Sequence, residues 1–283
     1  MNKNNSVNGS GRRSIASDTI NILENGSYRT ANGEVSIQDE LAHSIDQTRL
    51  FTPDDLQSLR VESQAIDTQI EVVNETSLEG AKRLYDSAIF KRILVLNFAS
   101  AKNAGGGFLR GAQAQEESLA RSSGLFPSLE KCSDYYRYHR TQNKSLLYSD
   151  HMIYSPDCPV FKDDGGALLG APYRVDFITS PAPNRGALTR NDPKALGQLE
   201  AVFTQRIQYM LRLAASQQAD ALVLGAWGCG VFGNQPEQVA DLFANELLGD
   251  GEFAKTFRHI SFSIPENPKL AANTTAFEKH FAA

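Results

Sequence analysis

Cysteine is scarce in this 283-residue chain: Cys132, Cys158 and Cys229 are all it has. None belongs to a C-x-x-C pair, and an odd count is a poor disulfide framework. A disulfide-stapled scaffold is excluded, and a reducing, intracellular (cytoplasmic) setting is expected. A chain of this length buries enough core without a staple. Clustered basic residues are missing too. Lys and Arg total 28 against 33 Asp and Glu, a net charge of -5. That balance argues against a general DNA- or RNA-binding surface, but not against a small anion held by backbone N–H groups. No apolar run is long enough to span a bilayer, so no membrane partner is expected. Arg12-Arg13 suggests a twin-arginine signal, but residues 14–21 form no hydrophobic region behind it. His139 and His151 lack an H-E-x-x-H partner, so no metal is expected. No cofactor is expected either.

What is present reads as one large α/β unit. Residues 1–14, rich in Asn, Ser and Gly, are expected to be a disordered tail. Residues 15–65 are expected to form a helical N-terminal extension. A short helix over 17–23 is closed by Asn25-Gly26, and a turn follows around Asn32-Gly33. Thr52-Pro53-Asp54-Asp55 reads as a helix start, with a hydroxyl cap, Pro in the first turn and acids at the positive dipole end. From residue 66 to 283 strands and helices alternate. Strands are expected at 70–73, 93–98, 152–154, 160–161, 173–179, 221–225 and 258–264. Helices are expected from the Thr76/Glu79 capping box to 89, and over 116–121, 126–139, 192–217, 236–248 and 270–281. This alternation predicts a three-layer α/β domain with a mixed or parallel sheet.

Two glycine loops leave the C-terminal ends of buried strands, where open α/β sheets bind ligands. The second, Gly228-Cys229-Gly230-Val231-Phe232-Gly233, matches G-x-G-x-x-G literally. A dinucleotide-binding unit needs further βα steps that the remaining chain cannot supply, so we keep the physics and reject the fold. Its backbone N–H groups approach a pyrophosphate, and the helix behind it favours anions. Cys229 has no base beside it in sequence and reads as a small side chain packing the turn. The first loop contains Gly105-Gly106-Gly107, then seven residues, then Gln115-Glu116-Glu117. No Gly-Lys-Ser/Thr closes it, so it is not an NTP-binding loop. Successive glycines let a sugar phosphate pass without side-chain clash. Two adjacent carboxylates at a helix start either complement the helix dipole or serve as acid and base in glycoside cleavage.

The stretch NFASAKNAGGGFLRGAQAQEESLARSSGL, with GGG-x7-QEE inside it, resembles the signature of the microbial-type poly(ADP-ribose) glycohydrolases. The likeness extends through YSDHMIYSPDCPVF, SPAPN and LVLGAWGCGVFGNQP. It implies a macrodomain-like α/β/α core over 66–283 and hydrolysis of the ribose–ribose bonds of poly(ADP-ribose), with ADP-ribose as product. The partners it implies are the polymer and ADP-ribosylated proteins. Glu117 is then the catalytic acid and Glu116 orients the scissile linkage. Asn103 binds the distal ribose, and Gly105, Gly106, Gly107 and Gln115 line the substrate. Gly228, Cys229, Gly230, Val231 and Gly233 cradle the diphosphate, and Phe232 packs on the distal ribose. Tyr28 and Phe257 are among the aromatics available to stack on adenine. A non-catalytic ADP-ribose-binding macrodomain, and a hydrolase of mono-ADP-ribosyl protein or O-acetyl-ADP-ribose, are the alternatives. The intact QEE counts against the first.

Overall fold

A computed structural model describes residues 7–61, 65–268 and 271–282. In chain order the helices and strands are α1 (Gly9–Asn25), β1 (Ser27–Thr30), β2 (Gly33–Ser36), α2 (Gln38–Gln47), β3 (Arg49–Phe51) and α3 (Pro53–Ser58). Then come β4 (Gln69–Val73), α4 (Ser77–Asp86), β5 (Ile93–Phe98), α5 (Gln115–Ser122), α6 (Leu125–Lys131), α7 (Ser133–Thr141), β6 (Met152–Lys162) and β7 (Leu168–Ser180). The chain closes with α8 (Arg185–Asn191), α9 (Leu199–Ser216), β8 (Ala221–Leu224), α10 (Pro236–Leu247), β9 (His259–Ser263) and α11 (Ala271–Phe281). Seven strands form one mixed sheet in the order β3-β6-β7-β5-β8-β9-β4, with β1 and β2 a separate hairpin. The strands from β7 to β4 run parallel, and β6 is antiparallel to both of its neighbours.

The two-residue period of β5 explains the layers. Leu94 and Leu96 point into a core shared with α9, α10 and α11, among them Phe203, Met210, Phe243 and Phe277. Ile93 and Val95 point the other way, toward Leu78 and Leu84 of α4, Leu119 of α5 and Leu129 of α6. Such a strand has no polar side to its pattern, so its sequence reads as an unbroken apolar run.

The N-terminal segment departs from expectation. The expected disordered tail is helical from Gly9, because Asn8 caps Gly11 N–H with its side chain at 2.9 Å; residues 1–6 lie outside the described residues. The segment carries the helices α1, α2 and α3 but is not helical throughout. It holds the β1–β2 hairpin, and β3 joins the main sheet as its edge strand, Phe51 opposite Met152. Helix α1 is tied down through Lys162, buried to 1% exposure, whose Nζ donates to Asp18 Oδ2 at 2.8 Å and Thr19 Oγ1 at 2.8 Å. Thr19 Oγ1 in turn donates to the carbonyl of Arg121 at the end of α5.

Three further differences concern element boundaries. The single helix expected over 126–139 is broken at Cys132, whose ψ of 38° leaves the helical region. The two short strands expected near 152 and 160 are one strand, β6, kept continuous across an irregularity between Ser155 and Cys158. Asp192-Pro193 opens a 3₁₀ turn, Pro193–Gln198, rather than α9 itself, and the Asp192 side chain makes no cap hydrogen bond.

Arg206 of α9 ties the core to the loops above the sheet. It is fully buried, and donates to Asp150 Oδ1 (2.8 Å), the Leu147 carbonyl (2.9 Å) and the Pro181 carbonyl (2.8 Å). Removing one partner of a buried ion pair leaves the other uncompensated. Arg206→Ala is expected to cost about 3–5 kcal/mol in urea unfolding. A loss under about 1 kcal/mol, the scale of an ordinary surface change, would show that the arginine holds nothing in place.

Candidate active site

Strands β7, β5 and β8 are adjacent and parallel, so the loops that follow them emerge side by side. These are 181–184, 99–107 and 225–235. Because β6 is antiparallel to β7, the segment 146–151 arrives at the same end. Backbone bonds join the loops: Ala99 N–H donates to Ser180 O (3.2 Å), Asn184 N–H to Leu146 O (3.0 Å), and Gly186 N–H to Phe232 O (2.8 Å). Asn234, buried, donates from its side chain to Pro183 O (2.9 Å) and Gly228 O (3.1 Å). It staples the second glycine loop to the SPAPN loop.

Helix α5 delivers the acids. Gln115 begins it, and both ends of its carboxamide, expected to line the substrate, are bonded to the scaffold. Its Oε1 accepts from Phe98 N–H (2.9 Å), and its Nε2 donates to Leu96 O (2.7 Å) and Ser77 Oγ (3.1 Å). The amide is spent fastening the helix to the end of β5 and the start of α4.

Glu116 turns inward and is 3% exposed. Its Oε2 accepts from Ser100 N–H at 2.6 Å, while Oε1 has no partner among the described residues. Burial first, then the adjacent Glu117 carboxylate, raises its pKa well above the usual carboxylate value. The buried hydroxyls of Tyr135 and Tyr136 and Oδ1 of Asn97 are likewise unpartnered.

Glu117 stays partly exposed, and its Oε1 accepts from Gly107 N–H at 2.9 Å. Both carboxylates crowd Gly106, whose φ is +60°. A Cβ there would lie 2.3 Å from Glu117 Oε1 and 3.1 Å from Glu116 Oε2. The glycine is required twice, by backbone conformation and by the space the acids occupy. The loop closes on itself through Gly106 N–H to Asn103 O at 3.0 Å, and leaves the Asn103 side chain exposed.

The second loop has a buried base and an open rim. Gly228, φ +74°, leaves no room for a Cβ between Ala182 and Asn234. Cys229 is buried and desolvation pushes its thiol up to about 12, which fits packing rather than nucleophilic chemistry. Gly230 faces open space, Val231 is 88% exposed, and Gly233 takes φ +68°. Phe232 is half-buried with its ring 6.1 Å from that of Tyr148. Trp227 is core, edge-on to Phe203 at 5.2 Å. Phe257 is fully buried in the main core and Tyr28 packs on Phe161 at 5.9 Å, so neither reaches the loops.

Ser100, Asn97, Tyr148 and Asn234 are site residues that motif reading passed over. All four sit inside the motif stretches, Tyr148 as the first residue of YSDHMIYSPDCPVF. The motif gives no sign of the Tyr148 backbone turn, a φ of +60°, that sets where its ring lies.

Comparison with known proteins settles the family. The model for the microbial-type PARG (poly(ADP-ribose) glycohydrolase) catalytic domain matches residues 16–163. The chain belongs to this family. The structure is similar to that of poly(ADP-ribose) glycohydrolase from Thermomonospora curvata, with TM-score 0.91, 46% identity, and coverage of 96% of this chain and 100% of that one. The same Thermomonospora protein bound to the inhibitor ADP-HPD matches at TM-score 0.89, with 46% identity and the same coverage. The enzyme from Deinococcus radiodurans in complex with ADP-ribose matches at TM-score 0.78, with 42% identity, over 85% of this chain and 96% of that one. No curated protein matches the chain. The family placement carries with it the three-layer macrodomain-like fold and a glycosidase activity. No helix among the described residues is long and apolar enough to cross a membrane.

Two outcomes follow from the geometry of this PARG-family site. Gly106→Ala pushes the Glu117 carboxylate aside by an ångström or so, and is expected to lower kcat for polymer hydrolysis about 100-fold. A rate within a few-fold of wild type would mean the loop yields without moving the acid. The second concerns Glu116. A carboxyl whose folded-state pKa is raised binds more protons folded than unfolded. Its contribution to stability is therefore full below the unfolded value of about 4.3 and falls as pH climbs through the raised folded value. Glu116→Gln is expected to abolish that fall. By calorimetry its melting temperature should exceed wild type near neutral pH and converge with it toward about pH 4. Parallel profiles would show that burial costs this carboxyl nothing.

Proposed function

We propose that this chain hydrolyses the ribose–ribose O-glycosidic bonds of poly(ADP-ribose), releasing ADP-ribose, with Glu117 as general acid and then general base. The observation that carries the reading is the placement of Glu117. It is a partly exposed carboxylate fixed by Gly107 N–H in the wall of the glycine loop, beside a second acid withdrawn into the core. The Thermomonospora relative that binds ADP-HPD and the Deinococcus relative that binds ADP-ribose support the same ligand here.

In glycosidases that divide acid and nucleophile between two carboxylates, the pair flanks the bond. Here both crowd the same glycine, so the geometry favours one residue doing both proton transfers. Glu117 donates its proton to the 2′-oxygen of the leaving adenosine ribose as the C1″–O bond breaks. The resulting carboxylate takes a proton from water as the water oxygen bonds to C1″, and Glu117 ends as it began. The ribosyl cation between these steps is offset by that carboxylate and by the diphosphate of the bound unit. The diphosphate is held along Gly228–Gly233, where exposed Gly230 and Val231 form the rim. Glu116 turns Oε2, which accepts from Ser100 N–H, toward the glycine loop, 3.1 Å from where a Cβ on Gly106 would sit, while Oε1 is buried. In this reading it is Oε2 that holds a ribose hydroxyl and fixes the linkage. Asn103, with its side chain free at the mouth, contacts the distal ribose, and Phe232 limits where that ribose can sit.

Incubation with poly(ADP-ribose), wild type beside Glu117→Gln, tests this. Wild type should release free ADP-ribose. Glu117→Gln should keep ADP-ribose affinity and lose about 100- to 10,000-fold in turnover, the range for one general acid–base group. A variant as fast as wild type would remove Glu117 from the chemistry. Binding without any release would make the protein a reader of ADP-ribose, and faster cleavage of mono-modified protein would change the substrate.

A further inference from the structure

The glycine loop ends in a second feature that the chemistry above does not use. Between Gly107 and Gln113 the chain makes a tight 3₁₀ turn, Phe108–Arg110, closed by Gly111 at φ +78°. Arg110 N–H donates to Gly107 O (3.0 Å), Gly111 N–H to Phe108 O (3.0 Å), and Ala112 N–H to Gly107 O (3.2 Å). Phe108 anchors the turn, buried at 1% exposure against Phe126 with ring centroids 4.9 Å apart.

Four arginines meet at this turn, in a chain whose net charge is -5. Two are committed to its backbone. Arg12 Nε donates to Gly111 O at 2.8 Å, and Arg121 Nη1 to Ala112 O at 2.8 Å. The other two, Arg13 and Arg110, are exposed and pair with no carboxylate or carbonyl among the described residues. Arg13 lies against the turn, its Cγ 3.0 Å from where a Cβ on Gly111 would sit. Arg110 and Glu117 border the same point of the glycine loop: a Cβ built on Gly107 would lie 3.8 Å from Glu117 Oε1 and 4.0 Å from Arg110 Nη2. An exposed guanidinium thus adjoins the loop that holds the proposed acid, on a turn fixed by backbone and arginine hydrogen bonds.

We propose that Arg110, with Arg13 beside it, forms an anion subsite for the diphosphate of the polymer unit that leaves. This rests on the glycohydrolase reading. The bond to be broken ends on the 2′-oxygen of the next adenosine ribose, and the same ribose carries its diphosphate at the 5′ position. When the 2′-oxygen meets Glu117, that diphosphate is one sugar ring away, within reach of a guanidinium on the adjoining turn. Guanidinium forks bind phosphate oxygens in pairs. A leaving group with no phosphate, such as a protein side chain or acetate, gains nothing from these arginines. The subsite therefore favours polymer over mono-modified substrates.

Two synthetic substrates isolate the contact: ADP-ribose joined 1″→2′ to adenosine, and the same compound with a 5′-diphosphate on that adenosine. Wild type should show a kcat/KM roughly tenfold higher on the phosphorylated compound, the scale of one charge-assisted contact. The ratio should shrink as salt is raised. It should fall toward one in Arg110→Gln, fall less in Arg13→Gln, and be partly kept in Arg110→Lys. Each ratio is internal to one protein, so it does not depend on how much of a variant folds. A wild-type ratio near one, or an unchanged ratio in Arg110→Gln, overturns the subsite. If wild type cleaves neither compound, the glycohydrolase reading itself fails and this inference falls with it.

Discussion

Everything at the catalytic end depends on where α5 starts, and the Gln115 side chain sets that point. Its carboxamide is bonded to the last turn of peptide in β5 on one side and to the first residue of α4 on the other. Helix and strand are thereby locked in register. The next two residues must then diverge by about 100°, the angle between successive helical positions. One acid goes into the core and the other to the glycine loop. Neither direction is chosen by the acids themselves. A dehydrated carboxylate such as Glu116 has little intrinsic reason to be where it is. It is carried there by a neighbour's hydrogen bonds, and Ser100 N–H partly offsets the cost.

This arrangement explains why the spacing between the glycines and the acids is a signature. The seven intervening residues are not slack. They hold a 3₁₀ turn, a left-handed glycine and a return to the helix, and the two ends of the segment meet again at Gly107 and Glu117. An insertion would move the Gly107 N–H away from the carboxylate it fixes. The second loop follows a similar logic with different parts. There Asn234 does the fastening, gripping the carbonyls of Pro183 and Gly228, while Gly230 and Val231 stay free at the rim.

The sequence made the strands and the glycine loops legible because local rules govern them. The apolar run 93–98 lies between two cores, and the Thr76/Glu79 box forms with both reciprocal hydrogen bonds. Elements set by distant contacts were not legible. Asn8 begins a helix inside a stretch whose composition suggests disorder, since α1 gains its stability by packing on Phe108 and Ala120. Residues 49–51 become a strand only because β6 offers an edge. The same divide runs through the site. Glycine positions follow from backbone sterics and could be read directly. The structural use of Gln115, the backbone donor at Ser100 and the placement of Tyr148 all depend on partners far away in sequence.

The buried thiols have a practical consequence. Desolvation lifts Cys132 to about 11, and Cys158 and Cys229 to about 12, and all three are buried. Since the thiolate is the reacting species, the folded protein is nearly inert to alkylating reagents at neutral pH. A single cysteine placed on the open rim, as in Val231→Cys, would therefore be the one fast-reacting thiol in the molecule. A fluorophore attached there could report loop and ligand movements without any native cysteine being removed first.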